Sequence, residues 1–218
     1  MKRLFVAGTG TDLGKTHIAC ALLRAARARA LSVDAFKPVV SGFDPAEPEV
    51  SDPARLATAM GRPEAWAEVS PRRYRAPLAP NLAARLEGET LAMTDLVEDC
   101  RTWLTACHAD LALVEGAGGV MSPMTDDATN LDLMAALNLP VLLVAGSYLG
   151  TASHLLTALE VLRARGLTVA AVVVSESLDA PDLDQTVAML RAFERTTPIV
   201  VAPRDPSWDA GELADLLL

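Results

Sequence analysis

A glycine-rich segment near the start of the chain has the residue types of a phosphate-binding loop. It reads Gly8-Thr9-Gly10-Thr11-Asp12-Leu13-Gly14-Lys15-Thr16 and lies between an apolar run and a segment of helical composition. Glycines let backbone N–H groups curl round an anion, and a helix N-terminus adds partial positive charge. Lys15 would meet the β- and γ-phosphates, and the Thr16 hydroxyl would be a ligand for Mg²⁺. The segment predicts binding of a nucleoside triphosphate, although Gly8 stands one residue earlier than the first glycine of the common pattern.

Two further charged residues follow predicted strands. Lys37 comes after a strand over 32–36, and Glu115 comes after a strand over 110–114. Ligands of open α/β sheets bind beyond the carboxyl ends of the strands, so both side chains are expected beside the loop. A second lysine there would neutralise charge during phosphoryl transfer, whereas elsewhere it would be an ordinary surface charge. We expect Lys37→Ala to lose turnover with little change in folding.

Glu115 occupies the place where nucleotide hydrolases with this loop carry the carboxylate that holds Mg²⁺. The glycines that follow it, Gly116, Gly118 and Gly119, suggest close approach of the backbone to a ligand. Asp52 is open to two interpretations, because it precedes Pro53 and could equally cap a helix that starts there. The three histidines show no spacing typical of a metal site.

The rest of the chain alternates strands and helices. Further strands are predicted over 4–7, 141–145, 167–174 and 199–201, with helices over 18–29, 82–86, 92–107, 130–137, 151–165, 182–195 and 209–218. Residues 61–80 are rich in proline and are expected to form an irregular connection with one short helix. This order predicts a single three-layer α/β domain over residues 1–218, of the P-loop NTPase type. Its sheet should be mainly parallel, with six or seven strands and helices on both faces.

Composition limits the partners. The 218 residues are 51% hydrophobic but only 4% aromatic, which favours an aliphatic core, and the net charge is −9. Nucleic-acid binding requires a basic face, so no nucleic-acid partner is expected. No apolar run is long enough for a membrane span and no leader sequence is expected. Three cysteines without paired spacing indicate reduced thiols, and the protein is expected to be cytoplasmic.

The combination of motifs resembles the dethiobiotin synthetase family over nearly the whole chain. The loop from Gly8 to Thr16 is similar to that family's variant, including the shifted glycine. Residues 37–42, Lys-Pro-Val-Val-Ser-Gly, resemble its K-P-V-x-S-G segment, and residues 114–119 resemble its V-E-G-A-G-G segment. Residues 149–151 resemble its L-G-T segment. The combination is far more specific than any single motif.

The resemblance implies an ATP-dependent cyclo-ligase of biotin synthesis, acting on 7,8-diaminononanoate, CO₂ and ATP with Mg²⁺. An amine carbamate would attack the γ-phosphate, and the second amine would then displace phosphate to close a cyclic urea. Such chemistry depends on positioning and charge neutralisation and requires no protein nucleophile. The resemblance also implies a homodimer, with the substrate tail bound across the interface.

The resemblance assigns site residues by position. It implies catalytic roles for Lys15, Lys37 and Thr11, and metal ligation by Thr16, Asp52 and Glu115. The nucleotide would be bound by Asp12, Leu13, Gly14, Lys15, Thr16, His17, Glu115, Gly116, Ala117, Gly118, Ser175, Pro203 and Arg204. The substrate would be bound by Thr11, Ser41, Leu149, Gly150, Thr151 and Ser153.

Three positions depart from the family pattern. Ser175-Glu176 stands where the family carries an asparagine that reads adenine, and a hydroxyl cannot make the paired contacts of an amide. This change leaves open whether other bases are accepted. Asn81 replaces a histidine, and Ser153 replaces an asparagine.

Two other functions share the loop and the α/β architecture. One is an ATPase switch of the partition or site-selection type, but such proteins carry a lysine where Gly10 stands here. They also commonly use a terminal membrane-binding or DNA-binding segment, which the acidic C-terminus disfavours. The other is an amidotransferase-linked ligase of corrin synthesis, which would need an added glutaminase domain.

Overall fold

A six-stranded, all-parallel sheet forms the centre of the computed structural model, which describes residues 1–218. The strands are β1 (Lys2–Gly8), β2 (Val33–Phe36), β3 (Val39–Ser41), β4 (Arg72–Tyr74), β5 (Leu111–Gly119), β6 (Val141–Gly146), β7 (Val169–Ser175) and β8 (Ile199–Ala202). The main sheet has the order β2-β5-β1-β6-β7-β8, and a separate two-stranded parallel sheet pairs β3 with β4. The predicted α/β architecture with a six-stranded parallel sheet is confirmed.

Nine α-helices connect and cover these strands. They are α1 (Lys15–Ala28), α2 (Asp52–Met60), α3 (Trp66–Val69), α4 (Pro80–Leu86), α5 (Met93–Ala106), α6 (Asn130–Leu137), α7 (Thr151–Ala164), α8 (Leu183–Phe193) and α9 (Gly211–Leu217). Two short 3₁₀ turns, Pro48–Val50 and Pro63–Ala65, precede α2 and α3.

The core lies on both faces of the main sheet. Alternate residues of a strand point to opposite faces, so Leu4 and Val6 join one apolar cluster while Phe5 and Ala7 join the other. All four side chains are fully buried. Continuous aliphatic strands therefore fix the sheet, and the sheet fixes the edge at which the polar residues collect.

The excursion between β2 and α4 is more regular than its proline content predicted. The prediction of an irregular connection over 61–80 is wrong at 72–74, because these residues form β4 beside β3. Near this small sheet the Arg73 guanidinium lies 5.7 Å from the Phe43 ring centroid and 5.3 Å from that of Trp66. This cation–π cluster ties residues on both sides of α2 together.

Strand β5 is longer than predicted. It continues through the glycines to Gly119, with Val6 beside Glu115 and, after a shift in register, Gly8 beside Gly119. Glu115 is thus a strand residue rather than the first residue of a loop. Its backbone is held in the ladder, which fixes the direction of its side chain.

Helix α2 begins in a different way from the predicted acidic cap. The Ser51 side chain accepts a hydrogen bond from the Ala54 N–H at 3.4 Å, so Ser51 is the N-cap. Asp52 is the first helical residue, and its carboxylate is left for other contacts. The capping interpretation of Asp52 is therefore wrong.

The three cysteines, Cys20, Cys100 and Cys107, are buried and unpaired. Burial raises the pKa of the Cys20 thiol to about 12, with the Glu115 charge adding to the effect. No helix of the structure combines the length and the apolar character needed to cross a membrane.

Candidate active site

The phosphate loop is shaped by contacts that demand its first glycine. A side chain at Gly8 would place a Cβ 2.8 Å from the Gly10 carbonyl oxygen and 3.0 Å from Cδ of Lys15. The Gly8 carbonyl accepts a hydrogen bond from the Val120 N–H at 2.9 Å, which ties the loop to the end of β5. The shifted glycine is thus required by the curl of this loop. Gly14, at φ 90°, then turns the chain into α1.

A buried ionic cluster lies directly below the loop. The Lys37 ammonium donates to Oε1 of Glu115 at 2.5 Å and lies 3.0 Å from Oδ2 of Asp52. The Thr16 hydroxyl donates to the same Glu115 oxygen at 2.7 Å. The side chains of Lys37 and Glu115 are only 4% and 1% exposed. Four elements, α1, α2, β5 and the end of β2, therefore converge on one group of charges.

The charges of this cluster stabilise one another. Burial alone would lower the pKa of the Lys37 ammonium, but Glu115 and Asp52 outweigh it and hold that pKa above its ordinary value. Burial would raise the pKa of Asp52, and the Lys37 charge reverses the effect and lowers it. Burial and the nearby Lys37 charge lower the pKa of Lys15, whose ammonium donates to the Gly10 carbonyl at 3.0 Å.

The donor set around Glu115 fits Mg²⁺. Oε2 of Glu115 is buried and has no hydrogen-bond partner, so one carboxylate oxygen is available in a site where such an atom is costly. The Thr16 hydroxyl donates to the other oxygen of the same carboxylate, and the Asp52 carboxylate shares the Lys37 ammonium with Glu115, so three oxygen-bearing side chains meet here. No group of three or more His, Cys, Asp or Glu side chains forms a complete protein cage for a metal. Mg²⁺ is commonly bound by one or two carboxylates together with water and substrate phosphates, which suits this incomplete set.

A polar cavity of about 330 Å³ opens above the ionic cluster. It brings together most of the residues expected from the sequence: Thr11, Asp12, Gly14, Lys15, Thr16, His17, Lys37, Ser41, Asp52, Ala117 and Gly118. Arg55 also lines this cavity and was missed by sequence reasoning. Its only sequence signal is its position three residues after Asp52 on a predicted helix.

A second cavity of about 590 Å³ adjoins the first, since Asp12, Gly14 and His17 line both. Its wall includes the predicted residues Leu13, Ser175, Pro203 and Arg204 and the unpredicted residues Glu176, Ser177, Leu178, Asp205 and Pro206. The Glu176 carboxylate accepts a hydrogen bond from the Arg204 N–H at 2.7 Å, joining the ends of β7 and β8. The two cavities share part of their walls and extend from the phosphate loop to the ends of β7 and β8. A nucleotide needs such an extended space, because its phosphates and its base bind at different places.

The glycines after Glu115 are needed by the protein itself. A Cβ at Gly116 would lie 2.6 Å from the Asn130 amide and 2.9 Å from the Phe5 ring. A Cβ at Gly119 would lie 3.2 Å from the backbone of Gly10. Close approach of a ligand is thus not required to explain either residue, because β5 packs tightly against the phosphate loop and α6.

The segment from Leu149 to Ser153 lies away from these cavities and lines neither of them. Leu149 is 90% exposed, and Gly150, with φ 101°, is the N-cap of α7. The Thr151 hydroxyl donates to the Gly146 carbonyl at 2.6 Å and is therefore already engaged. Free backbone N–H groups and the exposed Ser153 hydroxyl remain at this helix start.

Known proteins resemble the whole chain. A family model described as an AAA domain matches residues 2–210. An ATP-dependent dethiobiotin synthetase BioD of Caulobacter vibrioides is 78% identical over 218 residues, covering 100% of both chains. Proteins of the same name are 63% identical in another Caulobacter species, over 100% of this chain and 95% of that one, and 56% identical in Phenylobacterium zucineum, over 94% and 90%.

Solved structures share the fold at low sequence identity. The MinC:MinD cell division protein complex of Aquifex aeolicus matches with a TM-score of 0.57 and 11% identity, over 100% of this chain and 85% of that chain. A DUF1611 family protein of Anabaena variabilis matches with a TM-score of 0.55 and 13% identity, over 99% and 57%. Similarity at this level shows only a shared fold, so it does not support the alternative function of an ATPase switch of the site-selection type. The sequence relatives decide the matter, and the chain belongs to the family of ATP-dependent dethiobiotin synthetases, within the broader AAA-domain family.

Proposed function

We propose that this protein converts 7,8-diaminononanoate, CO₂ and ATP into dethiobiotin, ADP and phosphate. The observation that carries the proposal is the shared cavity in which Lys37 and Ser41 face the phosphate loop. A simple triphosphate-binding site needs only the loop and a metal ligand. Lys37 and Ser41 add a cation and a hydroxyl to this minimum, and these groups suit phosphoryl transfer to an acceptor other than water.

The reaction can proceed without a protein nucleophile. One amine of the substrate adds to CO₂ and loses a proton, which leaves a carbamate. A carbamate oxygen attacks the γ-phosphorus as the bond to ADP breaks, giving a carbamic-phosphoric anhydride. The second amine then attacks the carbamoyl carbon, phosphate leaves with the electron pair of the C–O bond, and the amine proton is released. The residues of the cavity have to align these groups and offset their charge.

Lys37 and Lys15 are proposed to stabilise the transferred phosphoryl group. Both lie at the same cavity, Lys37 beneath it and Lys15 within the loop. A phosphoryl group that enters the cavity competes with Glu115 and Asp52 for the Lys37 ammonium. Thr11 and Ser41, which line the same cavity, are proposed to contact the carbamate.

Thr16, Asp52 and Glu115 are proposed to hold Mg²⁺. When bound, the ion would neutralise phosphate oxygens and orient the chain of phosphates. The Thr16 hydroxyl fits this role because it already points at Glu115. Asp52 fits because Ser51 caps α2 in its place.

The substrate tail is proposed to bind across a homodimer interface, at the segment from Leu149 to Ser153 of the second copy. The support is chemical, since a helix N-terminus with free N–H groups favours a carboxylate. The exposure of Leu149 supplies an apolar side chain suited to an interface. Buried, unpaired thiols agree with a cytoplasmic location.

The experiment is an assay of purified protein with Mg-ATP, bicarbonate and the diamine. We expect ADP, phosphate and the cyclic urea to appear together, and ATP turnover to depend on the diamine. A monoamine of the same chain length is the matched control, because it can form a carbamate but cannot close a ring. ATP turnover that ignores the diamine would contradict the ligase proposal and favour an ATPase switch.

A further inference from the structure

Arg55 occupies the wall of the phosphate cavity on the side of α2. It lies three residues after Asp52, and residues at this spacing share one face of a helix. Both residues line the cavity of about 330 Å³ above the ionic cluster. Arg55 therefore lines the same space as Lys15, Thr16 and Lys37.

Arg55 is the cation of this cavity that no protein group engages. Lys37 is held by Glu115 at 2.5 Å and by Asp52 at 3.0 Å, and Lys15 donates to the Gly10 carbonyl at 3.0 Å. Arg55 makes neither a salt bridge nor a side-chain hydrogen bond, although it is three residues from an aspartate. An exposed arginine has five donors in a planar fork, which matches phosphate oxygens.

We propose that Arg55 is a further phosphate-binding residue, which closes over the polyphosphate chain from the α2 side while the loop holds it from below. This proposal rests on the proposed use of a nucleoside triphosphate. The protein carries a net charge of −9, so the phosphates depend on local cations. Two of these are committed to protein acceptors in the free protein, and Arg55 can bind phosphate oxygens without breaking an internal contact. Its contacts with phosphate are charge-assisted hydrogen bonds, which are the strong class.

The test compares Arg55→Ala, Arg55→Lys and the matched control Arg24→Ala by isothermal titration with Mg-ATP and with inorganic tripolyphosphate. Arg24 is also exposed and lacks a salt bridge, but it does not line the cavity. We expect Arg55→Ala to weaken both ligands by at least about tenfold, Arg55→Lys to weaken them less, and Arg24→Ala to change them by less than about twofold. Arg55 has no internal partner, so the melting temperature of its variants should match that of the wild type.

Equal affinities of the Arg55→Ala and Arg24→Ala variants would overturn the proposal. Loss of ATP affinity with unchanged tripolyphosphate affinity would also overturn it, since Arg55 would then act on the nucleoside. A wild-type protein that binds neither ligand would instead refute the proposed function. The two failures are therefore distinguishable.

Discussion

The ammonium of Lys37 lies 2.5 Å from a carboxylate oxygen of Glu115, and both side chains are almost completely buried. Such a pair is costly to break, because removal of one partner leaves an unpaired charge in the interior. Asp52 shares the same ammonium at 3.0 Å. The residue expected to assist phosphoryl transfer thus also neutralises the acidic residues expected to hold the metal.

Replacement of Lys37 is expected to affect folding as well as turnover. The expectation of little change in folding, made from the sequence, is revised because the structure buries the charge. We expect Lys37→Met to abolish product formation and to lower the free energy of unfolding by about 3 kcal/mol. Urea unfolding measures the second effect. The double variant Lys37→Met/Glu115→Gln should recover part of the stability and no activity, and an unchanged stability in the single variant would contradict the buried pair.

Without Lys37, the acidic pair should respond to Mg²⁺ in the absence of nucleotide. In Lys37→Met, we expect saturating Mg²⁺ to raise the melting temperature by about 3 °C more than in the wild type, since the carboxylates then lack their internal cation. Sodium chloride at matched ionic strength is the control for screening. The triple change Lys37→Met/Glu115→Gln/Asp52→Asn should lose the response. Equal shifts in wild type and Lys37→Met would show that Lys37 and Mg²⁺ do not share ligands.

Two glycines of the phosphate loop should differ sharply in how well they tolerate substitution by alanine. Gly8→Ala puts a Cβ 2.8 Å from a backbone oxygen, whereas the nearest atom to a Cβ at Gly10 is Cδ1 of Leu13 at 3.4 Å. We expect Gly8→Ala to lose nucleotide binding and about 1–3 kcal/mol of stability, and Gly10→Ala to keep both. Titration with Mg-ADP and urea unfolding test the pair. If the two variants behave alike, the loop does not depend on this close approach.

A pH effect is expected from Glu194, far from the cavities. Its carboxylate accepts hydrogen bonds from the N–H groups of Thr196 and Thr197 and from the Arg163 guanidinium. Burial alone would raise its pKa, but these bonds and the Thr196 hydroxyl lower it from 4.5 to about 2. The folded pKa is depressed, so the stabilisation is present above about pH 4.5 and is lost as the pH falls towards about 2.

We therefore expect Glu194→Gln to lower the free energy of unfolding by about 2 kcal/mol at neutral pH. The difference from the wild type should shrink as the pH falls below about 4.5. Glu160→Gln is the control, since Glu160 is exposed and makes no side-chain hydrogen bond. A difference that is independent of pH would show that the charge of Glu194 contributes nothing.

The base preference is open to a direct comparison. Ser175 lines the larger cavity, and the Glu176 carboxylate beside it is tied to the Arg204 N–H. A serine hydroxyl forms fewer hydrogen bonds with the edge of a base than an asparagine amide does. Ser175→Asn should therefore increase the preference for ATP over GTP and CTP. Competition of the three nucleotides in the diamine assay measures this ratio. An unchanged ratio would place base recognition elsewhere.

The elements that could be predicted from the sequence are those whose residues follow a regular hydrophobic pattern. Apolar runs defined five of the six strands of the main sheet, while β2 also contains Asp34, and α6 matches its predicted bounds of Asn130 and Leu137. The three-residue strands β3 and β4 were missed, because so short a strand has no periodicity and prolines lie nearby. Ser51 was passed over as a helix cap because Asp52 has equal propensity for that role.

The site was predictable to the extent that its residues belong to motifs. Lys15 and Thr16 were found through the phosphate-loop motif, and Lys37 and Glu115 through their positions after predicted strands. The structure brings the four residues together. Their ionic pairing was not predictable, since it depends on the register of β2 beside β5, in which Phe36 lies opposite Val114. Arg55 could not be found, because an exposed arginine on a helix has no pattern that separates it from a solvated surface charge.

The excursion that contains β3, α2 and β4 leaves the main sheet after β2 and returns before α5. Asp52, Arg55 and Ser41 all lie on it, while the loop, Thr16 and Glu115 belong to the main sheet and α1. The excursion therefore carries side chains proposed for both substrates, because Asp52 and Arg55 face the phosphates and Ser41 faces the acceptor. Leu56, Ala57 and Met60 of α2 belong to the same apolar cluster as Leu4 and Val6 of β1, so the excursion shares one core with the main sheet. A graft of residues 39–74 aimed at a new acceptor should therefore keep the core-facing residues of α2.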